Sequence, residues 1–170
     1  MIVMVMGLPG SGKSYFAARL AKAIRADYIN SDRLRKMMFG HRTYSAEEKK
    51  KVYDEMLLKM QQAAKQNKDL VLDATFHKNE RRKTITDKAQ TAGPFFLIEV
   101  IADESLIKER LKQPREDSEA GFEVYKLIQS EWEPVEEEHL VLQSTDDNIN
   151  AMLQKALDYL YIKNNDKGPN

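Results

Sequence analysis

Apolar residues follow two alternating patterns along the chain: short unbroken runs, and longer stretches in which they recur every three or four positions. Ile2-Val3-Met4-Val5-Met6 is a continuous apolar run closed by glycine, the mark of a strand buried on both faces. Ser14 to Arg25 follows with Phe16, Leu20 and Ile24 on one helical face. The same reading predicts strands at Tyr28–Asn30, Leu70–Ala74, Phe95–Ile101 and Leu140–Leu142. It predicts helices at Asp32–Phe39, Ala46–Gln66, Asn79–Ala92, Asp103–Lys112, Gly121–Trp132 and Thr145–Ile162. Gly40, Gly93-Pro94 and Pro134 supply stops. The stretch from Pro114 to Ala120 is polar and irregular, and residues 164–170 are expected to fray.

Five strands separated by helices describe an α/β fold around a mostly parallel sheet. No internal repeat, low-complexity segment or linker divides it, so one domain over residues 1–163 is expected. Ligands of such sheets bind beyond the C-terminal strand ends, so the informative residues are those that directly follow strands.

Composition narrows the class. The chain has 170 residues and no Cys, which leaves no disulfide framework and no thiolate metal site. The apolar N-terminus lacks a basic flank and is broken by Gly7 and Pro9, so it does not read as a signal sequence. No stretch approaches the ~20 apolar residues of a membrane helix. The expectation is a soluble, cytoplasmic protein with no membrane partner. His41, His77 and His139 are scattered without metal-ligand spacing.

The strongest chemical signal is Gly7-Leu8-Pro9-Gly10-Ser11-Gly12-Lys13-Ser14, which fits G-x-x-x-x-G-K-[ST] between a strand and a helix. Glycines let successive N–H groups turn toward phosphate oxygens, and the following helix presents its positive end to the same anion. Lys13 is a mobile charge for the β- and γ-phosphates, and the Ser14 hydroxyl is a ligand for Mg²⁺. Gly7, Pro9, Gly10, Ser11, Gly12, Lys13, Ser14 and Tyr15 are therefore the candidate nucleotide-binding residues, with ATP and Mg²⁺ as cofactors.

This loop alone does not choose between a kinase, a switch GTPase and a motor. The guanine string N-K-x-D is absent: Asn67-Lys68-Asp69 places its acid one residue early. No D-x-x-G follows the third strand, where Asp73 leads into Ala74, Thr75 and Phe76. A motor needs paired acids, and Leu70–Asp73 ends in one. A kinase needs a base, an acceptor-side cation and arginines over the transferred group. Asp32 follows the second strand, with Arg35 one turn on at i, i+3. Taken alone, that pair reads as a helix cap with a surface ion pair; after a phosphate loop it also reads as base and anchor. Asp73 ends a buried strand, where an unpaired carboxylate is costly. It is placed to hold Mg²⁺ through water or to orient Arg35, and Thr75 to bond the acceptor. Arg81 and Arg82 read as a solvated helix face. Arg110 lies before the polar stretch and Arg115 near its start; the stretch reads equally as a lid over nucleotide, at about 113–121, and as a plain surface loop.

Gly7–Ser14, Tyr28-Ile-Asn-Ser-Asp32-Arg-Leu-Arg35, Leu72-Asp73-Ala-Thr75 and Glu80-Arg81-Arg82 together resemble the kinase domain of phage-type polynucleotide kinase. They also resemble the wider P-loop kinase group that includes zeta toxins and bacterial ATP-dependent kinases. The resemblance runs from Met1 to about Pro134. It implies a P-loop NTPase three-layer sandwich whose five-stranded parallel sheet has order 2-3-1-4-5, with helices on both faces and a small lid. It implies Asp32 as general base, Arg35 and Thr75 on the acceptor side with Asp73 beside them, and Arg115 or Arg110 as lid arginine. In two places the chain departs from the pattern. Ala-Thr follows Asp73 where polynucleotide kinases have Thr-Asn, and the lid spacing differs by one.

Three functions remain open: a kinase acting on a nucleic-acid 5′-hydroxyl, a kinase acting on a small molecule, and a nucleotide-binding regulatory module. Charge bears on the choice. The 27 basic and 27 acidic residues cancel, yet residues 33–83 carry 14 basic against seven acidic and residues 103–147 carry five against 14. An anionic acceptor is thus compatible with a neutral sum.

Overall fold

The structure, a computed structural model, describes residues 1–114 and 120–165. In chain order the elements are β1 (Ile2–Met6), α1 (Lys13–Ala23), β2 (Asp27–Asn30), α2 (Ser31–Met38), α3 (Ala46–Lys65) and β3 (Leu70–Asp73). They continue as α4 (Asn79–Gln90), β4 (Phe95–Ile101), α5 (Glu104–Lys112), α6 (Phe122–Ser130), β5 (Leu140–Gln143) and α7 (Ile149–Asn165). The sheet is parallel throughout, in the order β2-β3-β1-β4-β5 that the resemblance implies.

Strand period sorts the core into two layers. Ile2, Met4 and Met6 point to one face, where Leu34 of α2, Val52 and Met56 of α3 and Ile85 of α4 cover them. Val3 and Val5 point to the other, against Phe16 and Leu20 of α1 and Met152 of α7. Burying each large apolar side chain contributes about 1.5–3 kcal/mol, so the central strand ends are firmly fixed. Their register then builds the site: Asn30 of β2 and Val5 of β1 both lie beside Asp73 of β3, at the C-terminal edge.

Helix ends differ from the sequence expectation for identifiable reasons. α1 stops at Ala23 because Arg25 takes φ 55°, with Ala26 N–H bonding Ala21 O at 2.8 Å and Arg25 N–H bonding Lys22 O at 3.3 Å. This is the paired closure usually built on glycine, here built on arginine. α7 begins at Ile149 rather than Thr145. Thr145 N–H instead bonds Asn148 Oδ1 at 2.9 Å, and Asn148 Nδ2 bonds Gln143 O at 2.8 Å. These short polar side chains give the backbone partners outside a helix. At its other end α7 reaches Asn165, past the point where fraying was expected. Arg115 and most of the expected lid lie outside the described residues.

Arg82 corrects the reading of a solvated face. It is 0% exposed, donating to Phe76 O at 2.9 Å, Glu133 O at 3.0 Å and Pro134 O at 2.5 Å. The guanidinium thus ties α4 and the β3–α4 loop to the segment that follows α6. Arg81 is half-buried, 5.5 Å from the Tyr53 ring.

Candidate active site

The loop from Gly7 to Gly12 joins β1 to α1 at the centre of the sheet edge. Gly12 caps α1 at φ 92° with no side-chain hydrogen bond, so the first N–H groups of the helix keep their donors for an anion. A Cβ on Gly12 would stand 2.8 Å from Ser144 Oγ and 3.2 Å from Arg110 Nη1, side-chain ends that could turn aside, so it is the φ of 92° that calls for glycine. Pro9 and Ser11 are buried. Ile107 and Leu111 of α5 close over Gly10, each 3.0 Å from where its Cβ would stand. Lys13 makes no hydrogen bond or ion pair among the described residues and lines the cavity in front of the loop.

That cavity, about 640 Å³, runs from Asp32 past Lys13 and Ser14 to Arg110, Ser144 and Asn148. Tyr15 is exposed at its wall, with the Arg19 guanidinium 3.3 Å from its ring centre. Arg110, in the last turn of α5, donates to Ser11 O at 3.3 Å, Ser144 Oγ at 3.1 Å and Thr145 O at 2.8 Å. It therefore braces the phosphate loop against the β5–α7 loop, with Asp146 alongside at 3.3 Å.

Asn30 joins the halves of the site. Its side-chain oxygen caps α2 by accepting from Asp32 N–H at 3.0 Å and Arg33 N–H at 2.9 Å. Its amide nitrogen donates to Asp73 Oδ2 at 2.6 Å and to Ser14 Oγ at 3.3 Å. Tyr28 donates its hydroxyl to the same Asp73 oxygen at 2.6 Å. Burial and the adjacent Asp73 carboxylate push the Tyr28 phenol well above its ordinary value, so it stays a donor. Asp73 is fully buried, and its Oδ1 has no hydrogen-bond partner among the described residues. Among the described residues no hydrogen bond or ion pair joins it to Arg35. The expected alternative in which Asp73 orients that arginine is thus replaced by a carboxylate held by Tyr28 and Asn30.

Arg35 is instead oriented by two other carboxylates. Its Nη1 donates to Asp32 Oδ1 at 3.1 Å, the expected i, i+3 pair, and its Nε lies 2.9 Å from Glu48 Oε1. The second contact is off-axis, an ion contact rather than an aligned hydrogen bond. Burial raises the Glu48 carboxyl, but the Thr43 N–H and hydroxyl, the Tyr44 N–H and the Arg35 charge outweigh it and hold the group below its usual range. Thr75 is half-buried two residues past Asp73, with no hydrogen-bond partner among the described residues.

Ser14 and Asp73 fit the Mg²⁺ that the loop motif implies. Both offer hard oxygens, and the orphaned Asp73 Oδ1 is a buried acceptor suited to an ion-bound water. No cluster of three acidic or His side chains forms a closed cage among the described residues. Mg²⁺ bound through phosphates and water needs none.

Sequence reasoning had no role for Tyr28, Asn30 or Glu48. Asn30 carried a signal, an Asn immediately before a helix start. Glu48 was masked by another: Ser45-Ala-Glu-Glu48 reads as a capping box, and Ser45 does accept from Glu48 N–H at 3.2 Å. The Glu48 side chain, however, turns to Thr43, Tyr44 and Arg35.

No curated protein sequence matches the chain. Solved structures resemble it over nearly their full length. A sugar kinase from Janibacter sp. HTCC2649 is 18% identical, with 96% of this chain and 95% of that one covered and a TM-score of 0.73. The Mycobacterium tuberculosis APS kinase CysC, in complex with AMPPNP and APS, is 19% identical over 94% and 96%, with a TM-score of 0.73. Chaetomium thermophilum Kti12, in complex with ADP-AlF3, is 19% identical over 96% and 98%, with a TM-score of 0.66. At these identities the likeness is one of fold, the P-loop kinase fold. A family model, AAA_33, described as an AAA domain, matches residues 2–135, and the chain belongs to that family.

Proposed function

We propose that this member of the AAA_33 family is an ATP-dependent kinase that transfers the γ-phosphoryl group to an acceptor hydroxyl. The observation that supports it most directly is Asn30. One side chain caps the helix that carries Asp32 and bonds both Ser14 and Asp73. A pure nucleotide binder has no need of a carboxylate–guanidinium pair built into its phosphate site.

In this reading the loop N–H groups and Lys13 hold the β- and γ-phosphates of ATP, and Arg110 keeps the loop closed against the β5–α7 wall. Ser14, and Asp73 through water, would hold Mg²⁺, which would supply charge neutralisation to the phosphates. Asp32 takes the proton of the acceptor hydroxyl, whose oxygen forms the new bond to the γ-phosphorus as the bond to the β,γ-bridging oxygen breaks. ADP leaves with that electron pair. Arg35 steadies Asp32, Thr75 faces the acceptor, and Arg115 or Arg110 is the lid arginine for the donor phosphates.

A small-molecule hydroxyl is the acceptor favoured by the names of the solved neighbours, a sugar kinase and an APS kinase. A polynucleotide 5′-hydroxyl is the second reading, supported by the motif resemblance and by the basic excess over residues 33–83. Labelled ATP incubated with 5′-hydroxyl oligonucleotides, nucleosides, sugars and aminoglycosides separates them. Transfer to one class, lost in Lys13→Ala, is expected. Binding of AMPPNP with no transfer to any acceptor would favour a regulatory module instead.

A further inference from the structure

Glu48 lies outside every motif of the phosphate loop, yet it is 5% exposed and in contact with the 6% exposed Arg35. Carboxylates are almost never this deeply buried without a charge partner. Glu48 lies in the first turn of α3, and its Oε2 is fully engaged by Thr43 N–H at 2.6 Å, Thr43 Oγ1 at 2.9 Å and Tyr44 N–H at 3.2 Å. Among the described residues, that leaves Oε1 to face Arg35 Nε. Arg35 in turn puts Nη1 on Asp32, and its guanidinium lies 4.9 Å from the Tyr44 ring. The chain of contacts runs from a backbone-anchored carboxylate, through a buried cation, to the half-buried acid at the head of α2.

We propose that Glu48 is a positioning residue: anchored by the α2–α3 loop, it aims Arg35 so that the guanidinium fixes one oxygen of Asp32 and leaves the other directed at the acceptor. This rests on the reading of Asp32 as base, but the geometric half stands apart from it. Without Glu48, the buried guanidinium would lose the carboxylate charge beside Nε and would gain by turning toward water or toward Asp32 alone. The triad of two carboxylates and one guanidinium also carries a net negative charge. Arg35 is thus a holder of Asp32 rather than an open receptor for an acceptor anion.

Glu48→Gln is a lenient probe, since the amide oxygen still accepts from Thr43 and Tyr44 while the charge facing Arg35 is lost. The measurements are the carbonyl ¹³C resonance of Asp32, assigned through Asp32→Asn, and solvent exchange of the Arg35 Nε–H, assigned through Arg35→Lys. In Glu48→Gln the Asp32 line is expected to move and Nε–H exchange to quicken about tenfold. AMPPNP affinity is expected to stay within about twofold of wild type, because the interaction lost is remote from the donor site. Glu48→Asp, which keeps the charge at shorter reach, is expected to restore most of the Asp32 shift. If Glu48→Gln leaves both signals unchanged, or if AMPPNP binding falls with them, the assignment is overturned. Phosphate transfer measured on the same variants tests the Asp32 base separately. A displaced Arg35 with undiminished transfer sinks the base reading and leaves the positioning intact.

Discussion

The two sides of the candidate site are built from different materials. The donor side is backbone: Gly7 to Gly12 and the open N–H groups of α1, contiguous in the chain and shaped by glycine conformations. The acceptor side, in the proposed reading, is side chain. Tyr28, Asn30, Asp32, Arg35, Glu48 and Asp73 come from four elements and meet only because β2, β3 and α3 pack together, with Asn30 and Asp73 also reaching the donor side at Ser14 and the proposed Mg²⁺. A backbone site tolerates few changes at its glycines and binds any triphosphate tail. A side-chain site is tunable one residue at a time, which suits the half that must choose an acceptor. Changes on one side should therefore leave the other working.

The largest expected effect that sharpens this contrast is at Lys13. Lys13→Ala should lower phosphoryl transfer about 10²–10³-fold, measured with labelled ATP, and weaken AMPPNP binding as well. An unchanged rate would mean that the loop is not the donor site. Arg82→Met comes next. It removes a buried cation from three carbonyl partners and should cost about 3 kcal/mol of stability, a fall in melting temperature of roughly 6–12 °C. It should do so with AMPPNP affinity retained, because neither Arg82 nor its three partners line the cavity in front of the phosphate loop; loss of nucleotide binding in the folded variant would show that the clamp supports the donor site. Tyr28→Phe should cost about 1.5 kcal/mol, the value of one hydrogen bond to a carboxylate. A denaturant midpoint equal to wild type would show that the bond contributes nothing.

The smallest effect is at Glu133, whose carboxyl is held low by the Asn79 N–H and by Lys78. A depressed carboxylate stabilises the fold fully above its unfolded value, 4.5, and loses that contribution as pH falls through the lower folded value. The melting-temperature gap between wild type and Glu133→Gln should therefore shrink between pH 6 and pH 3. A gap that widens on acidification would reverse the sign.

The donor side was legible in the sequence because its physics is local. A glycine pattern between an apolar run and an amphipathic stretch specifies strand, turn and helix within a dozen residues. Strand and helix identities followed from the same periodicities, and the sheet order from the family resemblance. What periodicity could not show was anything set by distance in the chain. Arg82 reads as half of a charged Arg-Arg pair, and only the path of residues 133–134 past α4 makes it a buried clamp. Glu48 reads as a capping-box acid because the alternative partner, Arg35, lies across the α2–α3 loop. Asp73 was recognised as costly to bury, but its partners Tyr28 and Asn30 are neighbours only through the β2–β3 register. The end of α1 was missed because Arg25 does the work usually done by glycine.

The separation of donor and acceptor sides is tested most directly in Asp32→Asn, with AMPPNP binding by calorimetry and label transfer measured on the same preparation. The account predicts an AMPPNP dissociation constant within about twofold of wild type and transfer reduced about 10²–10⁴-fold, the usual contribution of a general base. Transfer at the wild-type rate, or nucleotide binding lost together with transfer, would contradict it.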